Sequence, residues 1–178
     1  MTRQRDVALP TEEELREEAA SAVAAAIDAG CSLGSAESCT GGLVVAALTS
    51  VPGSSAVVMG SVVSYAVDVK RKVLGVTSEV LDEPSLGAVS SECAQMMAGG
   101  ARRVLGADVC VSVTGIAGPG GAKPGKPVGT VWFGLSAGDV CVSRVYHLSG
   151  SRDEVRAKAV RVSLALLRGA IVNPPSSW

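Results

Sequence analysis

Ser38, Cys39 and Thr40 place two hydroxyls and a thiol on consecutive residues, and two glycines follow at once: Ala36-Glu37-Ser38-Cys39-Thr40-Gly41-Gly42. Before this stretch, Cys31 to Ala36 is short and rich in small residues, as a strand would be. After it, Leu43, Val44, Ala47, Leu48 and Val51 recur at helical spacing. The stretch therefore reads as a strand-to-helix turn. Such a turn points unpaired backbone N–H groups outward, where they can receive a phosphate or a developing oxyanion. Gly41 and Gly42 remove side chains that would block close approach. The chemistry on offer is nucleophilic attack, by Ser38 first and by Cys39 second. The same residues also fit an ordinary helix N-cap, where Ser and Thr are favoured.

A serine nucleophile needs a base. Lys70 follows a strand that carries Tyr65 near its end. A lysine serves as base when burial or a nearby positive charge lowers its pKa from about 10.4, and Ser–Lys is a known nucleophile–base pair. The competing reading places Lys70 with Arg71 and Lys72 on a solvated helix face. Arg152 and Arg156 stand one helical turn apart and share a face. Beside a helix N-terminus they could clamp a phosphate, or they could form a basic surface patch opposite Asp153 and Glu154. A loop rich in glycine and proline, from Thr114-Gly115-Ile116-Ala117-Gly118 to Pro127, is too long for a simple connector.

Other arrangements fail. His147 is the one histidine and sits late in a strand, so neither a Ser-His-Asp triad nor a multi-histidine metal site is supported. The stretch lacks G-x-S-x-G, and Gly41 stands where S-x-x-K would need lysine. Neither a P-loop nor a Rossmann glycine pattern is present. Five cysteines, at 31, 39, 93, 110 and 141, form no C-x-x-C pair and leave an odd count. That fits a reducing, cytoplasmic setting rather than a disulfide framework. No cofactor or metal is called for.

The elements that must position these groups follow from pattern. Thr11-Glu12-Glu13-Glu14 is a capping box opening a helix whose stripe is Leu15, Ala19, Ala22, Val23 and Ala26, stopped by Gly30. Residues 56–66 predict a strand, and Asp68 to Gly75 a short helix with Val69, Val73 and Leu74 inward. Residues 76–88 are irregular. Ser90 or Ser91 caps a helix to about 105, with Cys93, Met96, Met97 and Val104 on its inner face. Asp108 to Thr114 alternates as a strand. Strands over about 128–136 and 140–147 are joined by Ala137-Gly138-Asp139 as a hairpin. Ser151-Arg152-Asp153-Glu154 opens a last helix to about 171 with two apolar stripes, so it is buried on more than one side.

The expected fold class is α/β: one three-layer α/β/α domain over 11–172 with a mixed sheet, flanked by an untied tail at 1–10 and another at 173–178. Loops at the strand ends would share a rim, the usual place for a ligand. The 178 residues suffice for one domain. Sixteen Lys and Arg against 17 Asp and Glu, with 3% aromatics, argue against nucleic-acid binding by charge or by base stacking. No apolar run is long enough to span a membrane, and no apolar leader opens the chain.

Four ordered motifs together resemble the C-terminal domain of the CinA (competence/damage-inducible) family: Ala36 to Gly42, Tyr65 to Lys70 with Leu74-Gly75-Val76, Thr114 to Gly121, and Lys126-Pro127-Val128-Gly129-Thr130-Val131-Trp132. The resemblance covers about residues 12–170. It does not include the larger N-terminal domain of many members. It implies the CinA C-terminal-like fold and, through the stand-alone deamidases of the PncC type, hydrolysis of nicotinamide mononucleotide (NMN) to nicotinate mononucleotide and ammonia, in pyridine nucleotide salvage. It implies Ser38 as nucleophile assisted by Tyr65 and Lys70. Substrate contacts are expected from Cys39, Thr40, Gly41, Gly42, Thr114, Gly115, Ala117, Gly118, Arg152 and Arg156, with the N–H groups around Thr40 to Gly42 holding the oxyanion. Members commonly carry Asn two residues after the tyrosine, where Val67 stands here. The rival expectation is a nucleotide- or phosphate-binding regulatory module without turnover. A symmetric homo-oligomer is expected of a small α/β enzyme.

Overall fold

A computed structural model describes residues 7–173. Helix α1 (Glu12–Ala29) begins at the Thr11 capping box: the Thr11 hydroxyl accepts from the Glu14 N–H, and the Glu14 carboxylate accepts from the Thr11 N–H. Gly30 closes it in the left-handed conformation. Strand β1 (Leu33–Glu37) leads through the Ser38 turn into α2 (Leu43–Thr49). A short 3-10 turn (Ser54–Ala56) precedes β2 (Val58–Val63), α3 (Val67–Leu74) and α4 (Ser78–Leu81). Then come α5 (Ser91–Leu105), β3 (Val109–Gly115), β4 (Thr130–Ala137), β5 (Val140–His147) and α6 (Arg152–Val172).

The five strands form one sheet in the order β2-β1-β3-β4-β5. β1 runs parallel to β2 and β3, whereas β4 is antiparallel to β3 and to β5. Helices α1, α2 and α6 pack on one face and α3, α4 and α5 on the other. This is the expected three-layer arrangement. The larger core joins Val111, Val113, Phe133 and Leu135 of the sheet to Val155, Ala159, Leu164 and Leu167 of α6. Both apolar stripes of α6 are used: Val155, Val162 and Leu166 are buried, as are Val160, Leu164 and Leu167. The smaller core joins Ala36 and Cys110 to Leu74, Val80, Cys93 and Met97.

Register explains the shared rim. Glu37 pairs with Val63 on one side and Val113 on the other, so β1, β2 and β3 end together. Gly115 pairs with Val131 and Thr130 with His147, so the loop before β4 and the chain leaving β5 lie at that same end. The Ser38 turn, the segment before α3, the 116–129 loop and the start of α6 must therefore meet.

Several expectations needed correction. Val73 and Val104 are exposed, 39% and 49%; in α3 Leu74 is buried as expected, and Lys70 is buried beside it in place of Val73. The pattern misassigned α3 because it presumes lysines outward. The stretch 76–88 contains the single turn α4. Of the tail expected at 1–10, residues 1–6 lie outside the described ones, but Val7 packs on the core, Pro10 is buried and the Ala8 carbonyl accepts from Arg161 at 3.4 Å. Of the tail expected at 173–178, residues 174–178 lie outside the described ones. Among the described residues, no helix is long and apolar enough to cross a membrane.

Candidate active site

The Ser38 turn is held from beneath by a residue given no role by the sequence alone. Glu37 ends β1 and is fully buried. Its carboxylate accepts from the N–H groups of Gly42 (2.9 Å), Val44 (3.0 Å) and Val45 (2.9 Å). The Ser35 hydroxyl also donates to it, at 3.2 Å. Gly42 reaches this geometry with φ at 100°, a region that favours glycine. The signal was legible: an acid just before the turn and two glycines just before the helix are what an N-terminal carboxylate cap requires.

This capping changes the expected oxyanion donors. Gly42 N–H is taken by Glu37, and Gly41 N–H donates to the Ser38 carbonyl at 3.1 Å. The Thr40 N–H donates to no acceptor among the described residues, and the Cys39 N–H to none beyond its own side chain. The donors available around Ser38 are thus those of Cys39 and Thr40. Thr40 Oγ1 and Ser64 Oγ are also buried without a partner, polar groups that a bound ligand can satisfy.

Lys70 comes up from α3 beneath the turn. It is 1% exposed. Its Nζ lies 2.9 Å from Ser38 Oγ and also donates to the Ser64 carbonyl. Burial lowers its pKa from the ordinary lysine value, opposed by the Cys93 and Cys39 thiols. Among the described residues no carboxylate pairs with it. Cys39 has the reverse electrostatics. Burial pushes its thiol up to about 11, against the pull of its own N–H, Lys70 and Arg156. A thiol so raised is protonated near neutrality, which favours Ser38 as the nucleophile.

Tyr65 stands apart from this pair. Its ring is 65% exposed, and its hydroxyl accepts from Arg152 at 3.4 Å. No hydrogen bond joins it to Ser38 or Lys70, the residues beside which the family resemblance sets it. The reason is local: β2 ends at Val63, so Tyr65 projects from the link before α3. Arg152 also donates to the Gly118 carbonyl at 2.9 Å and so bridges the loop to Tyr65. Arg156 turns the other way and donates to the carbonyls of Cys39 (3.1 Å) and Thr40 (3.2 Å).

The loop divides similarly. Thr114 is buried and its hydroxyl donates to the Ala88 carbonyl at 2.6 Å, while Gly115 pairs with Val131 in the sheet. These two build the scaffold. The N–H groups of Ala117 and Gly118 donate to no acceptor among the described residues, and the Gly118 carbonyl accepts from Arg152. His147 is exposed at the end of β5 and faces Thr130 Oγ1 at 3.3 Å. A cleft of about 530 Å³ lies elsewhere, between α1 and α6, lined by Ala24, Asp28, Arg168 and Ile171. It contains no nucleophile–base pair, so chemistry rather than cavity size locates the site.

The CinA C-terminal domain family matches residues 15–171. The chain belongs to that family. It is 48% identical to a CinA-like protein of Mycolicibacterium gilvum (strain PYR-GCK), over 83% of this chain and 35% of that protein. A CinA-like protein of Geobacter metallireducens is 44% identical over 82% of this chain and again 35% of its own length. The chain thus spans about a third of the curated relatives it matches. Solved structures are covered almost whole. Competence damage-inducible protein A from Klebsiella pneumoniae superposes with a TM-score of 0.85 at 38% identity, covering 90% of this chain and 98% of that one. Competence/damage-inducible protein CihA from Agrobacterium tumefaciens gives 0.83 at 40% identity, covering 90% and 96%.

Proposed function

We propose that the chain is an amidohydrolase acting on a phosphorylated amide, with the carboxamide of NMN as substrate. What carries this reading is the 2.9 Å contact between Ser38 Oγ and the Nζ of a buried lysine whose pKa burial depresses. A neutral amine has two N–H groups and one lone pair. It donates to the Ser64 carbonyl and takes the Ser38 proton with the lone pair.

Ser38 Oγ then bonds to the carboxamide carbon. The carbonyl oxygen becomes an oxyanion and takes hydrogen bonds from the Cys39 and Thr40 N–H groups. The protonated Lys70 returns its proton to the departing nitrogen, so ammonia leaves and an acyl-serine remains. Water attacks that ester, Lys70 takes its proton, and the acid leaves as Ser38 recovers its hydrogen. Tyr65, exposed and tied to Arg152, serves the substrate side of the rim and not the proton path. The free N–H groups of Ala117 and Gly118, with Arg152, supply donors to the phosphate.

Ammonia release from NMN by the wild type and by Ser38→Ala tests the reading. Release by the wild type alone supports the amidohydrolase and its nucleophile together. Full release by Ser38→Ala ends the serine mechanism. NMN bound by the wild type without release makes the chain a binding module, and Val67→Asn becomes the first variant to assay.

A further inference from the structure

Arg152 and Arg156 share a helix face, which pairs them as one anion clamp in the sequence. Their guanidinium groups diverge. Arg152 is exposed and reaches the Gly118 carbonyl and the Tyr65 hydroxyl. Every nitrogen of Arg156 faces inward or back along the helix: Nε to the Cys39 carbonyl, Nη2 to the Thr40 carbonyl, and Nη1 to Asp153 at 3.6 Å.

We propose that Arg156 is a positioning residue: by holding the Cys39 and Thr40 carbonyls it aims the Thr40 N–H at the oxyanion and leaves the substrate's phosphate to Arg152. This rests on the amidohydrolase reading of the site. The geometry follows from the planar peptide. The Cys39–Thr40 bond is trans, since the cis bond among the described residues is Gly118–Pro119. In a trans peptide the C=O and the following N–H point in opposite directions. Drawing the Cys39 carbonyl onto Arg156 therefore turns the Thr40 N–H away from α6. The Ser38 carbonyl is fixed in the same manner by the Gly41 N–H at 3.1 Å, which turns the Cys39 N–H.

Three successive carbonyls are thus tied down, and the Thr40 N–H is left with no protein acceptor among the described residues. Gly41 and Gly42 both take positive φ, at 63° and 100°, so the Thr40–Gly41 plane that follows is bordered by a permissive residue, and the hold of Arg156 on the Thr40 carbonyl fixes it together with the plane before it. Glu37 anchors the amides from Gly42 onward, and Arg156 anchors the carbonyls ahead of them. The fork of a guanidinium suits two adjacent carbonyls; the point charge of a lysine does not.

The test compares Arg156→Lys, Arg156→Ala and Arg152→Ala with the wild type. Ammonia release from NMN is measured as kcat and KM. The rate at which a fluorophosphonate labels Ser38 is measured in parallel. In that labelling an Oγ–P bond forms, fluoride leaves and the serine proton passes to Lys70. Losing an oxyanion donor costs about a hundredfold or more in kcat. Arg156→Lys is expected to lose about that in kcat, with KM within about threefold, and to slow labelling in step. Arg152→Ala is expected to raise the KM for NMN about tenfold or more and to leave labelling at the wild-type rate.

A raised KM with unchanged kcat in Arg156→Lys would overturn the proposal and return Arg156 to the phosphate. Where Arg156→Ala fails to fold, Arg156→Lys keeps the stem and charge and still decides. If no ammonia is released by the wild type, the amidohydrolase reading fails by itself, and labelling decides the positioning claim. Equal labelling of wild type and Arg156→Lys overturns it, as does a wild-type Ser38 that takes no label.

Discussion

At the scale of single residues, Lys70 links chemistry to stability through one proton. Burial lowers its folded pKa, so the unfolded chain binds more protons between that value and the ordinary lysine pKa of about 10.4. The Lys70 contribution to stability therefore rises with pH across that window and is lowest, and flat, below it, while Cys39 and Cys93, whose thiols burial raises to about 11, contribute with the opposite sign above the ordinary thiol value. Activity is expected to have the same sign as the Lys70 contribution, since the proposed base is the neutral amine. The expected kcat/KM climbs tenfold per pH unit below the folded pKa and then levels, with its midpoint under about 10.4. Lys70→Arg, which stays protonated, should show no such limb. Lys70→Met should abolish turnover, remove the Lys70 share of the pH slope from urea unfolding, and add stability on the order of 1 kcal/mol at neutral pH. A midpoint at the ordinary lysine value would show that the folded site does not tune this group. Glu37 makes the complementary case. Its two oxygens receive three backbone N–H groups. Gln offers one oxygen and a donor, so either orientation of its amide leaves at least one buried N–H unpaired. Glu37→Gln is expected to lose about 1–3 kcal/mol in urea unfolding and to lower kcat along with it.

At the scale of elements, the depth of Lys70 depends on how closely α3 lies on α5. Gly100 of α5 meets the end of α3: a Cβ there would stand 2.0 Å from the Leu74 carbonyl oxygen and 2.8 Å from its carbon. Both are backbone atoms and cannot rotate aside. Arg103 donates to that same carbonyl at 3.2 Å, fixing the contact further. Gly100→Ala should force the helices apart, cost about 1–3 kcal/mol or more as an overpacked contact does, and reduce kcat by drawing Lys70 away from Ser38. Gly99→Ala is the control, because its Cβ would meet nothing nearer than Cys141 Sγ at 3.9 Å. Equal losses from both would mean that helix propensity, and not the contact, sets the cost. The two capping boxes and the stripes of α1 and α6 were legible in the sequence because those helices obey apolar-in, polar-out. α3 was legible only in part, because beside the buried Leu74 it buries a lysine where a valine was expected. Val104 was misread for a related reason: α5 is faced inward by Cys93, Ala94, Met97 and Ala101, small and soft residues that carry a weak periodic signal. The structure brings Lys70 to Ser38, and Arg152 to Tyr65 and Gly118. Sequence and structure part over partners: Glu37 beneath the turn had a signal in its place before the two glycines, whereas the grip of Arg156 on backbone carbonyls leaves no trace in residue type.

At the scale of the whole molecule, the sheet order decides what ligand binding can stabilise. β1 and β3 are central, and the site is assembled from the ends of β1, β2 and β3 and the start of α6. A ligand bridging Ser38, the Ala117–Gly118 amides and Arg152 would therefore tie α6, on one sheet face, to Lys70 and α3 on the other. Such a ligand binds the folded chain and not the unfolded one, so it adds about 2.7 kcal/mol at a hundredfold excess over its Kd. For a chain of this size each kcal/mol raises Tm by about 2–4 °C, so the expected shift is about 5–11 °C. Ser38→Ala is the form to use, because it should bind NMN without consuming it. Nicotinamide riboside, which lacks the phosphate, should give a smaller shift at equal concentration, and Arg152→Ala in the same background should bring the NMN shift down to that of the riboside. Equal shifts from the two compounds would mean that the phosphate is not read at all, and the substrate class would have to be redrawn around the amide and its ring.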